Sequence, residues 1–531
     1  MAEYYRDIRE HLKFLESVNK LRRITIPINK DTELMPLVRW QFRGLSEEQR
    51  TGFLFENVYD SRGRKFDIPV AVATHAASRE IYAMAMGCKS EEIQERWSHA
   101  IRNPIPPKLV ASGPVQEVVD MKDDSAAEGR GLDAFPIPIS TPGFDPSPYF
   151  SSTNWMTKDP ETGIRNVGNY RAMVKSPWRT GIPVEPVQHI GIHWSKAKAM
   201  GKPLEAALVI GASPCIGLTS VNKIPFGLDE LAVAGAISGY PLELVKCKTV
   251  DIEVPAYAEI VIEGIISTEF KELEAPFGEF TGYMGHRVFN RYFEITCITN
   301  RKKPILHALI SQFPPSEGSK VRQIGYEGAY YKFLKYDCNI SGILDVGFLE
   351  PSGAWEYCVI RMKKGHPSQP WQALRGAAAF DSGIGKIFVA VDDDIDPRDP
   401  DAINWALSFR MQPHLDVEII QGKSLNIDPS GVPPRTPNPG SYPPPRGTSG
   451  ILIDATRKWD YPPLSLPKKE YMEKAKEIWE SLGLPPLKPK QPWFGYSLGD
   501  WSEELAQEAE DALQGGYYRT GEKLAKTRIE G

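Results

Sequence analysis

Apolar residues first recur at helical spacing. Leu12, Leu15 and Val18 interrupt a charged stretch and predict a helix over 3–21. The period then drops to two, with Ile24, Ile26 and Ile28 alternating with other residues, which predicts a strand over 21–28. Thr32 is a candidate cap for a helix running through Met35 and Val38 to Trp40. Ser78 is placed to start a helix from Arg79 to Met86 that Gly87 would close. Apolar runs at 53–58 and 68–73 predict strands. His75, within this α/β layer, is expected to satisfy local hydrogen bonds.

Residues 103–148 are dense in proline and glycine, as in Asn103-Pro-Ile-Pro-Pro107, which favours extended and turning backbone. From about 150 the pattern is mainly β, with strands expected at 166–174, 204–211, 258–266, 292–299 and 304–310 and helices at 186–201 and 228–238. A largely antiparallel sheet or barrel follows. From about 315 helix and strand alternate: helices over 326–336, 371–379 and 402–409, strands over 340–348, 357–362 and 387–391. A proline-rich loop occupies 428–450, and helices at 468–482 and 502–513 are expected to pack on a neighbouring domain or subunit. The expected division is 1–120, an N-terminal α/β region; 121–312, a β-barrel; 313–455, a C-terminal α/β domain; and 456–531, a helical extension.

Composition narrows the function. The 531 residues are 41% hydrophobic and 10% aromatic, enough for substantial cores. A net charge of −5 leaves no basic footprint for nucleic acid. The six cysteines include no C-x-x-C pair, so neither a zinc site nor a redox dithiol is indicated. The N-terminal stretch is charged, and no apolar run approaches the roughly 20 residues that span a bilayer. A cytoplasmic protein without membrane or nucleic-acid partners is expected.

The chemistry centres on Glu274-Ala-Pro-Phe-Gly-Glu279, which sets two carboxylates five residues apart around Pro276 and Gly278. Pro276 restricts φ, and Gly278 permits a bend or a close backbone approach, so the run reads as a rigid turn aiming two carboxylates at one pocket. Upstream, Asn166 and Arg171 lie at odd spacing and would fall on opposite faces of a regular strand; they share a site only if Gly168 marks a bulge or bend. His189 opens one helix after Pro186, and Glu230 another. Singly, each reads as a structural residue. Together, Asn, His and Glu offer the oxygen and nitrogen donors that suit Mg²⁺, Mn²⁺ or Fe²⁺.

In order and spacing, these motifs resemble those of the UbiD-type, prenylated-FMN-dependent reversible decarboxylases. The resemblance spans roughly residues 135–430. It rests on Asn166 with Tyr170-Arg171, Pro186-x-Gln-His189, Pro225-x-Gly-x-x-Glu230, Glu274-x-Pro-Phe-Gly-Glu279, and the acidic run from Asp392 to Asp396 after a strand. It implies an α+β fold: a central flavin-reductase-like split β-barrel flanked by N-terminal and C-terminal α/β regions, the last used in oligomer contacts. It implies that Asn166, His189 and Glu230 bind a divalent metal that also holds the phosphate of prenylated FMN, with K⁺ nearby against Leu218 to Val221. Tyr170, Arg171, Gln188 and Lys386 join the cofactor set. Arg171, Glu274 and Glu279 form the catalytic network. A prenyl-flavin synthase would supply the cofactor, and a homo-oligomer, dimer or hexamer, is expected.

The chemistry agrees with that assignment. Loss of CO₂ from an sp² carbon needs an electron sink that side chains cannot provide. Glu279 is the candidate general acid, and base in reverse, while Arg171 holds the carboxylate. Glu274 would orient Arg171 and, as a like charge, raise the pKa of Glu279. Lys320, Arg322, Lys423 and Leu425 are candidates for the substrate wall, their charges suiting an anionic or phenolic substrate. A hydroxybenzoate-type acid is the first expectation, an aromatic acyl-CoA such as phthaloyl-CoA the second, and an acrylic acid such as cinnamate the third. Two rivals are a conventional FMN oxidoreductase, for which no Gly-x-Gly-x-x-Gly fingerprint is visible, and a non-catalytic carboxylase subunit.

Overall fold

The structure is a computed structural model that describes residues 4–122, 129–423, 428–431, 448–490 and 501–529. Leu425 and most of the expected 428–450 loop lie outside the described residues.

The chain begins with helix Ile8–Ser17, capped by the Asp7 carboxylate, which accepts from Glu10 N at 3.0 Å. Its Ile8, Leu12 and Leu15 are buried, one face of a 3.6-residue period. The strand expected over 21–28 is two strands in two sheets, Leu21–Ile24 and Ile28–Asn29. Helix Arg79–Met86 forms as expected: the Ser78 side chain accepts from Ile81 N, and Gly87 closes it at φ +67°. The next helix, Ile93–Arg102, has no counterpart in the sequence reading.

A four-stranded sheet joins Leu21–Ile24, Gly52–Phe55, Val70–Val72 and Leu306–Ala308. The last of these, read by sequence as part of the central region, instead completes the N-terminal sheet by pairing in parallel with Val70–Val72.

The central element is a ten-stranded sheet, antiparallel throughout. Its spine is the pairing of Leu204–Ile210 with Ile260–Ile266, and of the latter with Val288–Asn300. Alternation sorts one strand between two cores. Leu204, Ala206, Leu208 and Ile210 pack in one apolar cluster, and Ala207 and Val209 in another. Gly264 sits at a bulge, where a Cβ would lie 1.9 Å from the Glu294 carbonyl oxygen. The path of paired strands ends at Arg165–Gly168 and Tyr149–Phe150, so among the described residues the sheet does not close into a barrel.

The C-terminal layer is α/β as expected. Tyr357–Met362, Ile387–Val391 and Thr448–Ala455 run parallel in the middle of a five-stranded sheet, with Ile343–Phe348 and Val417–Lys423 antiparallel at its edges. Helices Glu317–Lys332 and Gln369–Phe380 cover one face and Pro400–Arg410 the other. Helices Lys469–Ser481 and Glu503–Leu513 bury no residue against the described residues. Among the described residues no helix is long and apolar enough to cross a membrane.

Candidate active site

The strand expected over 166–174 breaks at Gly168: Arg165–Gly168 and Ala172–Ser176 are separate strands. A Cβ on Gly168 would lie 2.5 Å from the Tyr170 ring, so the folded-back aromatic requires glycine there. This break meets the condition that the spacing of Asn166 and Arg171 set for their sharing a site.

Asn166 is buried on the first of these strands, and its Nδ2 has no hydrogen-bond partner. The neighbouring Val167 N donates to Glu230 Oε2 at 3.1 Å, and His189 Nδ1 lies 3.3 Å from Glu230 Oε1. His189 and Glu230 are each the first residue of a helix, His189–Ala199 and Glu230–Ser238. The second helix is capped by Asp229, which also pairs with Arg165 at 2.7 Å. Burial raises the Glu230 carboxyl above its ordinary value. Two helix N-termini, the carboxylate and imidazole they carry, and an unpartnered amide whose oxygen and nitrogen are interchangeable by rotation fit a cation with an attached phosphate. Gln188, by contrast, accepts from Glu185 N at 3.1 Å.

The second group forms around Arg171. Its Nε donates to Glu274 Oε1 at 2.7 Å, and its Nη1 to Glu279 Oε1. Burial opposes the guanidinium charge, but Glu279 and Glu274 outweigh it and raise the pKa above its usual range. Glu274 ends strand Glu272–Glu274 and is fully buried, its other oxygen accepting from Asn290 Nδ2 at 3.0 Å. Glu279 keeps 20% of its side chain exposed. Gly278 serves as a close approach: a Cβ there would meet Gln312 Cγ at 2.4 Å. The Arg171 guanidinium lies 5.4 Å from the Phe277 ring centre, and Tyr149 packs on that ring and donates to Ala275 O at 2.9 Å. Asp145, whose carboxyl burial pushes up to about 6, feels the Arg171 charge. Asn290, Tyr149 and Asp145 escaped the sequence reading, since each comes from a segment with no motif of its own.

The expected substrate wall divides. Lys320 pairs with Glu47 at 2.8 Å and Glu350 at 3.0 Å, and Lys423 donates to the carbonyls of Ala378, Asp381 and Ile384 at 3.2, 2.8 and 2.7 Å. Both are buried, their ammonium groups held by protein oxygens. Lys386 pairs with Asp428 and Ser430, each at 2.7 Å. Asp392 and Asp394 of the acidic run hold the buried Arg410 at 2.9 and 2.6 Å. Among the described residues Arg322 has no such partner at Nε or Nη2.

His75, expected to satisfy local hydrogen bonds, lies apart from these groups. It joins His307 and Glu317 in a buried cluster whose candidate ligand atoms lie within 4.8 Å of one another. Glu317 accepts from Ala73 N and His75 N, each at 2.9 Å, and His307 contacts Ser152 Oγ at 2.6 Å and Thr74 Oγ1 at 3.0 Å. The ring Nε2 of His75 has no partner.

Comparison with known proteins bears on all of this. The chain matches the 3-octaprenyl-4-hydroxybenzoate carboxy-lyase Rift-related domain over residues 108–314 and the C-terminal domain of that carboxy-lyase over 323–455. It is 32% identical to an uncharacterized protein of Synechocystis over 447 residues, covering 78% of this chain and 84% of that one. The UbiD-class enzyme HmfF of Pelotomaculum thermopropionicum, in an evolved dimeric form in complex with prFMN, is similar with a TM-score of 0.76 and 31% identity, covering 89% of this chain and 100% of that one. The vanillic acid decarboxylase of Sedimentibacter hydroxybenzoicus in its closed form is similar with a TM-score of 0.77 and 26% identity, covering 90% and 100%. With both of its matched regions in one family and its motifs assembled in space, the chain belongs to the UbiD family of carboxy-lyases.

Proposed function

We propose that this chain catalyses the reversible, non-oxidative decarboxylation of an aromatic carboxylic acid with prenylated FMN. The observation that carries the reading is Arg171 bridging a buried and a partly exposed carboxylate. In this reading the central sheet is the cofactor platform, a flavin-reductase-like split barrel whose strands do not hydrogen-bond into a closed circuit. Asn166, His189 and Glu230 would hold Mn²⁺, Mg²⁺ or Fe²⁺ and, through it, the cofactor phosphate. K⁺ would sit against the backbone of 218–221. When bound, the prenylated flavin supplies the electron sink for the pair left on carbon when CO₂ departs.

The remaining steps belong to the chain's own residues. With Nε and Nη1 engaged, Nη2 of Arg171 is left to hold the substrate carboxylate. Glu274, fully buried and bonded to Asn290, fixes the orientation of Arg171. Glu279, the exposed partner, delivers its proton to the carbon that loses CO₂ and recovers one from solvent. In carboxylation it removes that proton.

Hydroxybenzoate-type acids and aromatic acyl-CoA thioesters such as phthaloyl-CoA are the substrates to screen. The test is mass spectrometry of cofactor released from protein produced without oxygen alongside a prenyl-flavin synthase. A prenylated FMN mass with turnover of an aromatic acid is expected. Plain FMN with NAD(P)H consumption would replace this reading with an oxidoreductase.

A further inference from the structure

Gln312 stands at φ +66°, in the left-handed region where a side chain is strained and glycine is not. It is buried, and its Nε2 is closed to solvent without a hydrogen-bond partner among the described residues. Both features are unfavourable, and a glycine at this position would escape both. A side chain kept in such a place is expected to act on something nearby.

Its neighbours show what that is. The Cβ and Cγ of Gln312 pack on Gly278, the residue before Glu279, where an added Cβ would collide with them. Phe313 repeats the contact: its ring lies on Gly282, where a Cβ would meet Cδ2 at 2.9 Å. Gly278 and Gly282 belong to one tight hairpin. In it Glu279 N donates to Tyr283 O at 2.9 Å, Gly282 N to Glu279 O at 3.1 Å and Gly285 N to Phe277 O at 2.8 Å. Gln312 and Phe313 are therefore the floor under the turn that carries the acid.

That floor is fastened from the N-terminal region. Helix Leu34–Gly44 carries Arg39 and Arg43, one turn apart and so on one face. Arg39 donates from Nη1 to Phe313 O at 2.8 Å, and from Nη2 to Gln312 Oε1 at 3.0 Å and to Ser311 O. It thus grips the backbone on both sides of Gln312 and the side-chain amide as well. The Arg43 guanidinium lies 4.9 Å from the Phe313 ring centre.

We propose that Gln312 is a positioning residue, a strut between Arg39 and Gly278 that sets where the Glu279 carboxyl stands against Arg171. Helix Leu34–Gly44, far from the turn in sequence, then belongs to the catalytic apparatus. A shift of the turn would misplace the Glu279 proton while leaving Arg171 to hold the substrate carboxylate. The effect falls on the chemical step and not on substrate capture. The inference deepens the function proposed above and rests on it.

The test compares Gln312→Gly and Gln312→Met with the parent, each loaded with cofactor. Glycine removes the strut and takes up the left-handed backbone without strain, so this variant should fold, retain flavin and keep an unfolding midpoint near the parent's. Its kcat should nevertheless fall about 10- to 100-fold, with KM within a few-fold of the parent. Gln312→Met restores bulk over Gly278 without the Arg39 bond and should recover part of kcat. Hydrogen exchange gives a readout that needs no substrate. In Gln312→Gly the amides of 277–285 should exchange about 10-fold faster, and those of strand Ile387–Val391 at the parental rate.

An unchanged kcat in Gln312→Gly would overturn the inference, as would a loss carried by KM alone or unchanged exchange over 277–285. Parental turnover with an unaffected Gln312→Gly would sink the strut and leave the decarboxylase reading standing. A parent that turns over no aromatic acid would sink that reading, and the exchange comparison would still decide the strut.

Discussion

Arg171 in the central sheet and Arg398 in the C-terminal layer are both guanidiniums set between two carboxylates, and they are finished differently. Arg398 engages all three nitrogens, with Nε to Glu327 at 3.1 Å, Nη1 to Asp345 at 2.8 Å and Nη2 to Glu327 at 2.7 Å. Glu327 also accepts from Arg79 at 2.6 Å and from Phe348 N at 3.2 Å. Nothing there is left for a ligand; the cluster ties helix Glu317–Lys332 to strand Ile343–Phe348. Around Arg171 one carboxylate is saturated and buried while the other is reachable, and one nitrogen remains uncommitted. A guanidinium between two carboxylates makes a clamp in one place and a site in the other. What differs is whether the hydrogen-bonding capacity is exhausted.

The largest effect that would break this contrast is on turnover. Glu279→Gln should lower kcat by about 10²- to 10⁴-fold with flavin retained, read by product formation and flavin absorbance. Activity within a few-fold of the parent would remove Glu279 from the acid role. Arg398→Met, in the clamp, should leave the turnover of folded enzyme intact but cost about 3 kcal/mol in denaturant unfolding, because Glu327 and Asp345 stay largely buried with the cation between them gone and only Arg79 left close to Glu327. A fall in turnover matching that of Glu279→Gln would erase the distinction between the two regions.

Glu317 supplies a pH-dependent comparison. Burial pushes its carboxyl from 4.5 up to about 7, so between those values the folded state binds more protons than the unfolded state. Its contribution to stability is therefore present below about 4.5 and lost as pH rises through about 7. The loss is about 3 kcal/mol at most. Unfolding midpoints of Glu317→Gln subtracted from those of the parent should show that slope between the two pH values. A pH-independent difference would show that the carboxyl titrates normally. The smallest effect is expected at Lys386, 39% exposed and paired with Asp428. Lys386→Met should change stability by about 0–1 kcal/mol. Retained flavin in that variant would confine the lysine to its loop, and flavin loss would return it to the phosphate role that the family resemblance implies.

Much of the site was legible because its signals are local. Pro276 and Gly278 between two glutamates, a histidine after Pro186 and a glutamate after Asp229 are statements about turns and helix starts, which neighbouring residues decide. Helix Arg79–Met86 and strands Tyr357–Met362 and Ile387–Val391 fall where their periodicity and caps put them. Less was legible where a segment's partner is remote. Ile24 and Ile28 share one alternation but enter different sheets, and Leu306–Ala308 returns across the chain to Val70–Val72.

By itself, then, the sequence determined the chemistry available: which carboxylates flank a rigid turn, which residues open helices and can offer ligand atoms, and the family to which their order points. Only the tertiary structure decided which charges remain available. Lys320, Lys423, Arg322 and Arg410 are all basic residues near the expected site or its acidic run. Yet Glu47 and Glu350 neutralise the first, three carbonyls cap the second, Asp392 and Asp394 enclose the fourth, and Arg322 alone of these is left with no acidic partner among the described residues. Charge is a property of a residue, but its satisfaction depends on groups brought from anywhere in the chain, and local pattern carries no record of them.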